Sequence, residues 1–545
     1  MSAPVAQLSR LERLLPARLA LSRAKHRSLA GHARIGKWLA QRLPHFDYAD
    51  HELLRADDCP DEVARQREAG LAQLALRLTE KSPRTLEATE ALREGLSDLA
   101  FIDAYRVPFP FREAFRRRVR VGGLRDASDG VRLRDLDGNW SYDLGGSYGV
   151  NVFGLDFYKE CIERAAERAR ELGPVLGLHH PVVLDNVRRL RAISGLDEVS
   201  FHMSGTEAVM QAVACARYHT RRPRLVRFCG AYHGWWDGVQ PGVGNPRDVR
   251  DVYTLAECSE RALHVLETRR DIACVLVNPL QALHLNAPAP GDGTLTSSAR
   301  RASYDKAAYA SWLARLREVC TRRGIALILD EVFLGFRLAP GGAQEYFGVR
   351  ADLVTYGKTL GGGLPVGVVC GRRELMKRYR DDRPSDILFA RGTFNAHPYV
   401  MTAMNEFLRR LDEPALRESY AGIDALWDGR AAWLNERLAR LRLPVRFENL
   451  TSVWTTTFTT PSAYNWLFQF YLRAEGLTLA WVGSGRFIFS HAYREEDFRE
   501  VAARIERAAV TMAADGFWWW DRESTNSDLD GRVVMRALRR VLERR

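Results

Sequence analysis

The sequence predicts an α/β fold with a mainly parallel β-sheet, and three observations carry that prediction. Between residues 175 and 400, short apolar segments typical of buried strands alternate with amphipathic helical segments. This alternation is the pattern of a parallel sheet covered by helices on both faces. Residues 401–515 return to an α/β pattern, and the first 110 residues have a helical pattern rich in Leu and Ala. We therefore expect a large sheet domain, a small α/β domain and a helical N-terminal extension.

The predicted organisation has five segments. They are a helical extension (1–110), the first part of the small domain (111–174), the large domain (175–400), the second part of the small domain (401–515) and a Trp-rich tail (516–545). Periodicity predicts helices over 158–172, 208–218, 399–411 and 420–441, and strands near 452–458 and 487–490. Pro108-Phe109-Pro110 is expected to form a hinge. The Trp-rich tail is expected to be buried against the core or a partner subunit, because tryptophan covers a large area.

Composition indicates a cytoplasmic protein with a sizeable core. The chain has 545 residues, of which 46% are hydrophobic, enough for two or three domains. Its eight cysteines are scattered without a Cys-x-x-Cys pair, as expected of reduced thiols. No apolar run reaches the roughly 18 to 20 residues that span a bilayer, so we expect no transmembrane segment.

The net charge of +12 is concentrated at the N-terminus, where residues 1–42 contain nine basic residues and a single acid, Glu12. Leu8, Leu11 and Leu21 belong to an apolar face at near-helical spacing in this segment. Such a face suits a membrane surface, an acidic partner protein, a transit peptide or, as we favour, a helix packed on the folded protein. No nucleic-acid reader motif accompanies the charge, so nucleic-acid binding is not expected.

Lys358 follows a short apolar segment, 353–357, and precedes the glycines at 361–363. Glycines let the backbone approach a ligand closely and take positive φ, and a lysine held in such a turn can form an imine with a carbonyl compound. A simple turn that carries a surface lysine would explain the segment alone equally well. Other motifs must therefore decide between the two interpretations.

Three such motifs flank predicted strands and helices. Asp330 directly follows the apolar segment 325–329. Ligands of parallel sheets bind at this end of a strand. The carboxylate of Asp330 could therefore pair with a protonated heterocyclic nitrogen, or it could cap the next helix. Ser204-Gly205-Thr206 precedes a helical pattern. The amide groups at such a helix start could bind a phosphate, or the serine could simply be the N-cap of the helix. Tyr232 and His233 follow a short strand, and an aromatic ring in that place can stack on a flat cofactor.

The order of these motifs resembles the class III pyridoxal-phosphate (PLP) aminotransferases of fold-type I, from about Arg120 to about Val510. The resemblance implies a fold-type I sheet of seven strands, PLP as cofactor and a homodimer. It implies that Lys358 forms the internal aldimine and moves the substrate Cα proton, and that Asp330 pairs with the pyridine nitrogen. The other implied cofactor contacts are Ser204, Gly205, Thr206, Tyr232, His233, Val332 and, from the neighbouring subunit, Thr393. The pKa of Lys358 must then be lowered.

The stretch from Asp330 to Gly371 is most similar to glutamate-1-semialdehyde aminomutase and to the aminotransferase modules of lipopeptide and polyketide assembly lines. The resemblance implies transfer of an amino group from an amine or amino-acid donor to a carbonyl acceptor, in specialised biosynthesis. Two alternatives remain open. One is an intramolecular aminomutase of the glutamate-1-semialdehyde type. The other is an aminotransferase that acts on acyl chains bound to an acyl carrier protein, which the N-terminal extension docks.

Four residues are candidates for substrate binding. Asn278 stands where many family members have glutamate before proline, so a carboxylate is missing there. Ser147 and Tyr148 resemble residues that line the substrate entrance, or they belong to a hairpin turn. Arg486 is a candidate for carboxylate binding because a planar guanidinium group can bond both carboxylate oxygens. Alternatively, it is a charge at the edge of a strand that discourages aggregation. His179 and His180 lack a third ligand at suitable spacing, so no metal is expected.

Overall fold

The computed structural model describes residues 16–24, 38, 41–42, 46–240, 244–247, 250–256, 258–282, 304–480 and 485–543. They form two compact units. The first unit comprises the described residues of 1–41, 158–289 and 304–421, and the second comprises those of 42–157 and 422–545.

The described residues form fourteen strands. They are β1 (Ala127–Asp129), β2 (Arg132–Arg134), β3 (Trp140–Asp143), β4 (Glu198–His202), β5 (Arg224–Phe228), β6 (Val252–Leu255), β7 (Ile272–Val277), β8 (Ala326–Asp330), β9 (Leu353–Gly357), β10 (Gly367–Gly371), β11 (Val445–Leu450), β12 (Val453–Phe458), β13 (Leu477–Thr478) and β14 (Arg486–Ile488).

Helices of the first half of the chain are α1 (Asp61–Lys81), α2 (Pro83–Arg93), α3 (Ser97–Arg106), α4 (Arg112–Arg118), α5 (Leu155–Ala169), α6 (Val182–Ser194), α7 (Gly205–Thr220) and α8 (Glu260–Thr268). Those of the second half are α9 (Lys306–Arg323), α10 (Gly342–Phe347), α11 (Arg373–Met376), α12 (Pro398–Arg410), α13 (Pro414–Glu418), α14 (Ile423–Arg440), α15 (Phe468–Ala474), α16 (Glu495–Ala514) and α17 (Asn526–Glu543). The helices predicted over 158–172, 208–218, 399–411 and 420–441 are present as α5, α7, α12 and α14, with ends shifted by a few residues.

The first unit is built on a seven-stranded sheet with the order β4-β10-β9-β8-β7-β5-β6. β5 pairs in parallel with β6 and β7, and β8 pairs in parallel with β7 and β9. β10 is antiparallel to both of its neighbours, β4 and β9. Every residue of β7 to β10 is buried, as expected where both faces of a sheet are covered. The predicted α/β fold with a mainly parallel seven-stranded sheet is confirmed.

A described part of the basic N-terminal segment packs within the first unit. Residues 16–24 are helical, and Ala17, Ala20, Leu21 and Ala24 are buried. The amide of Ala256 donates a hydrogen bond of 2.9 Å to the carbonyl oxygen of Ala24. The apolar face of residues 16–24 is therefore covered by the protein itself. Leu8, Leu11, Leu14 and Leu15 lie outside the described residues.

The second unit contains two small sheets. β1, β2, β3 and β13 form one in that order, in which β13 pairs in parallel with β3. β11, β12 and β14 form an antiparallel second sheet. Helices α1 to α4, from the region expected to be an extension, belong to this same unit, as do α14 to α17.

Aromatic side chains from both ends of the chain make the core of the second unit. The ring of Phe111 lies 5.3 Å from that of Trp466 and 5.8 Å from that of Tyr464. Phe517, from the Trp-rich tail, lies 5.4 Å from Tyr464, and Phe517 and Trp518 are buried. The turn that we expected to be a hinge is therefore part of a packed core, because Pro110 and Phe111 are buried in it.

One buried ion pair joins the N-terminal helices to this aromatic core. The Arg67 side chain is 0% exposed and donates to both carboxylate oxygens of Asp57 at 2.7 Å. It also donates to the carbonyl oxygens of Leu54 and Gly516, and its guanidinium lies 4.4 Å from the centroid of the Tyr464 ring. All these partners belong to the second unit.

None of the described helices is both long and apolar enough to cross a membrane.

Candidate functional site

Three of the predicted residues lie at the carboxyl ends of neighbouring strands of the large sheet. Asn278 directly follows β7, Asp330 is the last residue of β8, and Lys358 directly follows β9. These three strands are parallel neighbours in the sheet. Their carboxyl ends therefore meet at one edge, which is where open α/β sheets bind ligands.

The carboxylate of Asp330 is buried and held in one orientation by three hydrogen bonds. Its Oδ2 lies 2.7 Å from Nδ1 of His233. Its Oδ1 accepts hydrogen bonds of 3.2 Å from the amide of Val332 and from the hydroxyl of Thr355. Thr355 lies on β9, two residues from the end of the strand. Neither this threonine nor the pairing with His233 was foreseen from the sequence.

His233 is buried, and burial lowers the pKa of its imidazole despite the neighbouring Asp330 carboxylate. The short contact assigns the Nδ1 proton to the bond with Asp330. Nε2 of His233 has no hydrogen-bond partner among the described residues. A neutral imidazole in this place fixes the carboxylate without cancelling its charge.

The amine of Lys358 is enclosed, and burial lowers its pKa while the charge of Asp330 acts in the opposite direction. The Nζ atom lies 5.6 Å from the centroid of the Phe333 ring. Among the described residues, no carboxylate lies within 4.0 Å of this amine. A lowered pKa favours the neutral amine, which is the nucleophilic form. The predicted direction of the pKa shift is thus observed.

Backbone geometry around Lys358 is unusual for a residue with a side chain. Its φ is +48°, in the left-handed region that costs a non-glycine residue free energy. Gly362, four residues on, has φ +59°, and a Cβ there would lie 2.5 Å from the carbonyl oxygen of Ala403 on α12. The loop therefore needs glycine at 362, both for its conformation and for its close approach to α12.

The Ser204-Gly205-Thr206 segment forms the start of α7. The hydroxyl of Ser204 accepts a hydrogen bond of 3.2 Å from the amide of Glu207, so the serine is the N-cap of the helix. A Cβ on Gly205 would lie 2.6 Å from a methyl group of Val332. The start of α7 therefore lies against the residues that follow β8, and its first amide groups form an anion site of the kind that binds phosphate.

Tyr232 and Asn278 are joined on the same side of the sheet. The side-chain amide of Asn278 donates a hydrogen bond of 3.2 Å to the carbonyl oxygen of Tyr232, and its oxygen accepts from the amide of Leu280. The Tyr232 side chain is 60% exposed. Next to it in the chain, a Cβ on Gly234 would lie 2.5 Å from the hydroxyl of Thr206. Asn278 thus holds the segment that carries Tyr232 and His233.

Glu331 differs from its neighbour Asp330 in its surroundings. Its carboxyl accepts hydrogen bonds of 2.7 Å and 3.1 Å from the amides of Ala343 and Gln344 at the start of α10. Burial raises the pKa of Glu331 to about 8. The two acids that are adjacent in sequence therefore belong to different environments.

None of the contacts described above involves the remaining predicted residues. Gly392 and Thr393 are exposed on the first unit. Ser147, Tyr148 and Arg486 belong to the second unit. Ser147 and Tyr148 have φ of +46° and +56° in a short 3₁₀ turn, and burial lowers the pKa of Arg486 to about 10. The Nε atom of Arg486 has no hydrogen-bond partner among the described residues.

The clustered residues fit PLP. An enclosed lysine with a lowered pKa suits an aldehyde, a buried carboxylate suits a pyridine nitrogen, and helix-start amides suit a phosphate. The exposed ring of Tyr232 suits the face of an aromatic cofactor. The orphaned polar atom Nε2 of His233 lies among these groups.

Comparison with known proteins agrees with this fit. The family model described as "Aminotransferase class-III" matches residues 120–239 and 305–485. The chain is similar to glutamate-1-semialdehyde 2,1-aminomutase of Alkaliphilus oremlandii, with 30% identity over 419 residues that cover 72% of this chain and 93% of the relative. The corresponding aminomutase of Methanococcus maripaludis strain C7 is 31% identical over 343 residues, or 60% of this chain and 74% of the relative. A solved structure described as a transaminase with PLP bound has a TM-score of 0.61 and 26% identity, covering 73% of this chain and 92% of the other.

Proposed function

Because the chain belongs to the class III aminotransferase family and uses PLP, we propose that it transfers an amino group from an amine or amino-acid donor to a carbonyl acceptor. The observation that carries the proposal is Lys358, a buried primary amine with a lowered pKa at the edge of the sheet where ligands bind. PLP, when bound, supplies an aldehyde and an electron-withdrawing ring. The remaining chemistry belongs to side chains of this protein.

Each residue of the cluster has a proposed role. The neutral Nζ of Lys358 would condense with the aldehyde of PLP with loss of water, and the amine of the donor would displace it. The freed Nζ would then take a proton from the substrate Cα and return it to another carbon. Asp330 accepts the hydrogen bond of a protonated ring nitrogen, and His233 keeps that carboxylate in place. Val332 and Tyr232 lie against opposite faces of the ring. The amides of Gly205 and Thr206, at the start of α7, would hold the phosphate. Ser204 stabilises that helix start as its N-cap.

We propose a homodimer in which Thr393 of one copy reaches the phosphate site of the other. Gly392 and Thr393 are exposed in the single chain, which supports a contact outside it. Phe389, Trp235 and Leu178 are large apolar side chains that are also exposed on the first unit. Such side chains favour a protein interface.

For the substrate we propose that Ser147 and Tyr148 line the entrance and that Arg486 binds a carboxylate. The support for Arg486 is that it is half-buried, with no ion pair to a described carboxylate and no hydrogen-bond partner for its Nε among the described residues. For Asn278, the hydrogen bonds to the backbone favour a positioning role toward Tyr232. We further propose a cytoplasmic enzyme of specialised biosynthesis; the support for the compartment is that its eight cysteines are scattered without a Cys-x-x-Cys pair.

An intramolecular aminomutase is the second candidate, favoured by relatives named glutamate-1-semialdehyde 2,1-aminomutase. Such an enzyme keeps the amine on one carbon skeleton and needs no external donor. Docking of a carrier protein by the extension has less support, because described residues from 46 to 118 contribute to the core of the second unit.

The test is the visible absorption of purified protein loaded with PLP, followed during addition of single amino donors. We expect a protein-bound cofactor band that bleaches with a productive donor and releases the matching carbonyl product. Lys358→Ala should lose the response, while Lys377→Ala, which removes an exposed lysine paired with Asp381, should keep it. Product formed from an amino-aldehyde alone, with no carbonyl by-product, would instead select the aminomutase. Failure of the wild-type protein to bind PLP would overturn both.

A further inference from the structure

Two neighbouring cavities of the second unit are lined by more basic than acidic side chains. The smaller, of about 60 Å³, includes Lys81, Arg120, Arg125 and Arg473 in its lining, with Asp135 as its one acidic residue among those described. The larger, of about 230 Å³, shares Arg120 and Val121 with it and adds four arginines, among them Arg106, and the acids Glu90, Asp103 and Glu113. We call this pair the arginine cavity. Its basic side chains outnumber the acids that could neutralise them.

Arg473 lacks an acidic partner in this cavity. One terminal nitrogen donates hydrogen bonds of 3.2 Å and 3.3 Å to the carbonyl oxygens of Leu479 and Ala480. Its Nε has no hydrogen-bond partner among the described residues, and none of their carboxylates lies within 4.0 Å of it. The guanidinium therefore has donors to spare.

The single acid of the smaller cavity is already engaged. Asp135 accepts hydrogen bonds of 2.6 Å from the hydroxyl of Ser82, 2.8 Å from the amide of Asn139 and 3.0 Å from the amide of Asp137. These bonds lower the pKa of Asp135 against the effect of burial. The carboxylate is thus a turn-forming group with its oxygens occupied.

Two further arginines crowd Arg473. Burial, together with the charges of Arg106 and Arg125, holds the pKa of Arg473 well below its usual value. Arg106 is 11% exposed and lies 3.6 Å from Asp103, but that carboxylate is shared with Arg93 at 2.6 Å. Arg125 donates to the backbone of Leu124 and, at 3.4 Å, to the hydroxyl of Thr478. The charges of Arg106 and Arg125 thus act on a half-buried Arg473, and an anion bound beside it would relieve that repulsion.

We propose that the arginine cavity is an oxyanion-binding site in which Arg473 and Arg125 hold the carboxylate or phosphate group of a small molecule, while Arg106 in the adjoining cavity adds positive charge. The smaller cavity exceeds the roughly 30 Å³ share of one water molecule in the liquid, and guanidinium forks match both kinds of oxyanion. The hydroxyls of Ser141 and Thr478, 2.8 Å apart, line the same cavity and make its surface polar.

The oxyanion has two conceivable sources, the substrate itself or a separate ligand. Tyr148 bears on the choice, since its phenol lies close enough to raise the pKa of both Arg106 and Arg473 against the effect of burial. If Tyr148 lines the substrate entrance, which rests on the proposed function, an acidic group of the substrate would reach these arginines. The existence of the site does not depend on that step.

The test is calorimetric titration of the PLP-loaded full-length protein with inorganic phosphate, at constant ionic strength maintained with sodium chloride. We expect saturable binding that also raises the melting temperature. Arg473→Met should weaken phosphate binding at least about tenfold, because a charged hydrogen bond is lost. Arg446→Met, which removes an exposed arginine on β11 of the same unit, should leave it unchanged.

A purely structural role for Arg473 predicts a different outcome. If it only anchors Leu479 and Ala480, Arg473→Met should lower the melting temperature in phosphate-free buffer and leave phosphate affinity as it was. The proposed site predicts that the phosphate-free melting temperature is kept or raised, since an unpaired cation is removed. If Arg473→Met does not fold, the same phosphate titration is carried out on Arg125→Met, which should also bind phosphate more weakly than the wild-type protein. Absence of phosphate binding to the wild-type protein overturns the proposal.

Steady-state kinetics then assign the source of the oxyanion. A substrate group bound at the site predicts that phosphate competes with that substrate and that Arg473→Met raises its KM more than it lowers kcat. A separate ligand predicts weakened phosphate binding with an unchanged KM. Because titration needs no turnover, loss of the proposed amino-transfer activity would leave the binding result intact.

Discussion

Two enclosed basic side chains, one in each unit, have very different surroundings. Arg67 in the second unit is paired with both oxygens of Asp57, bonded to two backbone carbonyls and packed on Tyr464. Lys358 in the first unit is enclosed with no carboxylate within 4.0 Å among the described residues. A basic group with all its partners joins segments of the fold, whereas one without a carboxylate partner is available for a ligand. The arginine cavity resembles Lys358 in this respect.

The largest effect should follow from removing Lys358. We expect Lys358→Ala to reduce turnover by at least about 10²- to 10⁴-fold, the contribution of a positioned acid-base group, while the free energy of unfolding stays the same or rises. The measurement pairs steady-state rates with urea unfolding. If Lys358→Ala lowered the free energy of unfolding as strongly as it lowered turnover, Lys358 would be a structural residue like Arg67.

The reverse should hold for Arg67. Arg67→Ala leaves Asp57 buried without its partner, so we expect a loss of roughly 3–5 kcal/mol in unfolding free energy with little change in kcat of the surviving folded enzyme. Urea unfolding measures the loss. Arg77→Ala, on the same helix but in a half-exposed pair with Glu475, should cost no more than about 1 kcal/mol. Equal losses for the two variants would show that burial of the pair is irrelevant.

Glu331 offers a pH-dependent comparison within the first unit. Its pKa is raised by burial from 4.5 to about 8, so the folded protein binds a proton that the unfolded chain releases between these values. The associated stability is complete below pH 4.5 and is lost as pH rises toward 8. At about 1.4 kcal/mol per pKa unit, the loss is at least about 2 kcal/mol.

The check is urea unfolding of wild type and Glu331→Gln at several pH values from 5 to 8. The variant should show a flatter decline, because its amide does not titrate, whereas Glu267→Gln, at an exposed salt bridge, should follow the wild type. Parallel curves for Glu331→Gln and wild type would mean that the Glu331 carboxyl is already ionised at pH 5.

The smallest effect concerns Thr355, the residue that completes the bonds to Asp330. Thr355→Val keeps the shape and removes one hydrogen bond of 3.2 Å, so we expect a loss of about 1 kcal/mol or less in stability and a several-fold decrease in PLP affinity. Equilibrium titration with PLP measures the latter. Unchanged affinity would show that His233 and the amide of Val332 are sufficient to orient the carboxylate.

Local patterns in the sequence predicted the residues at the strand ends, because strand, turn and helix signals are short-range. Lys358 and Asp330 lie where the apolar runs before them end, and Ser204 precedes a helix as expected. The sequence left open whether that serine caps the helix, and the structure shows that it does.

Contacts between distant segments could not be predicted in this way. His233 and Asp330 are 97 residues apart. Phe111 contacts Trp466 although most of the first unit lies between them in the sequence. Pro108-Phe109-Pro110 has the composition of a hinge, but its aromatic partners, far along the sequence, make it part of a core. Neither pairing leaves a signal in periodicity or spacing.

The left-handed backbone of Lys358 has a consequence for protein engineering. A glycine would adopt φ near +48° with less strain, and it would also remove a buried amine. A library selected only for heat resistance should therefore become enriched in glycine at position 358 and lose its chemistry in the same step. Stability alone is a misleading selection criterion for this loop.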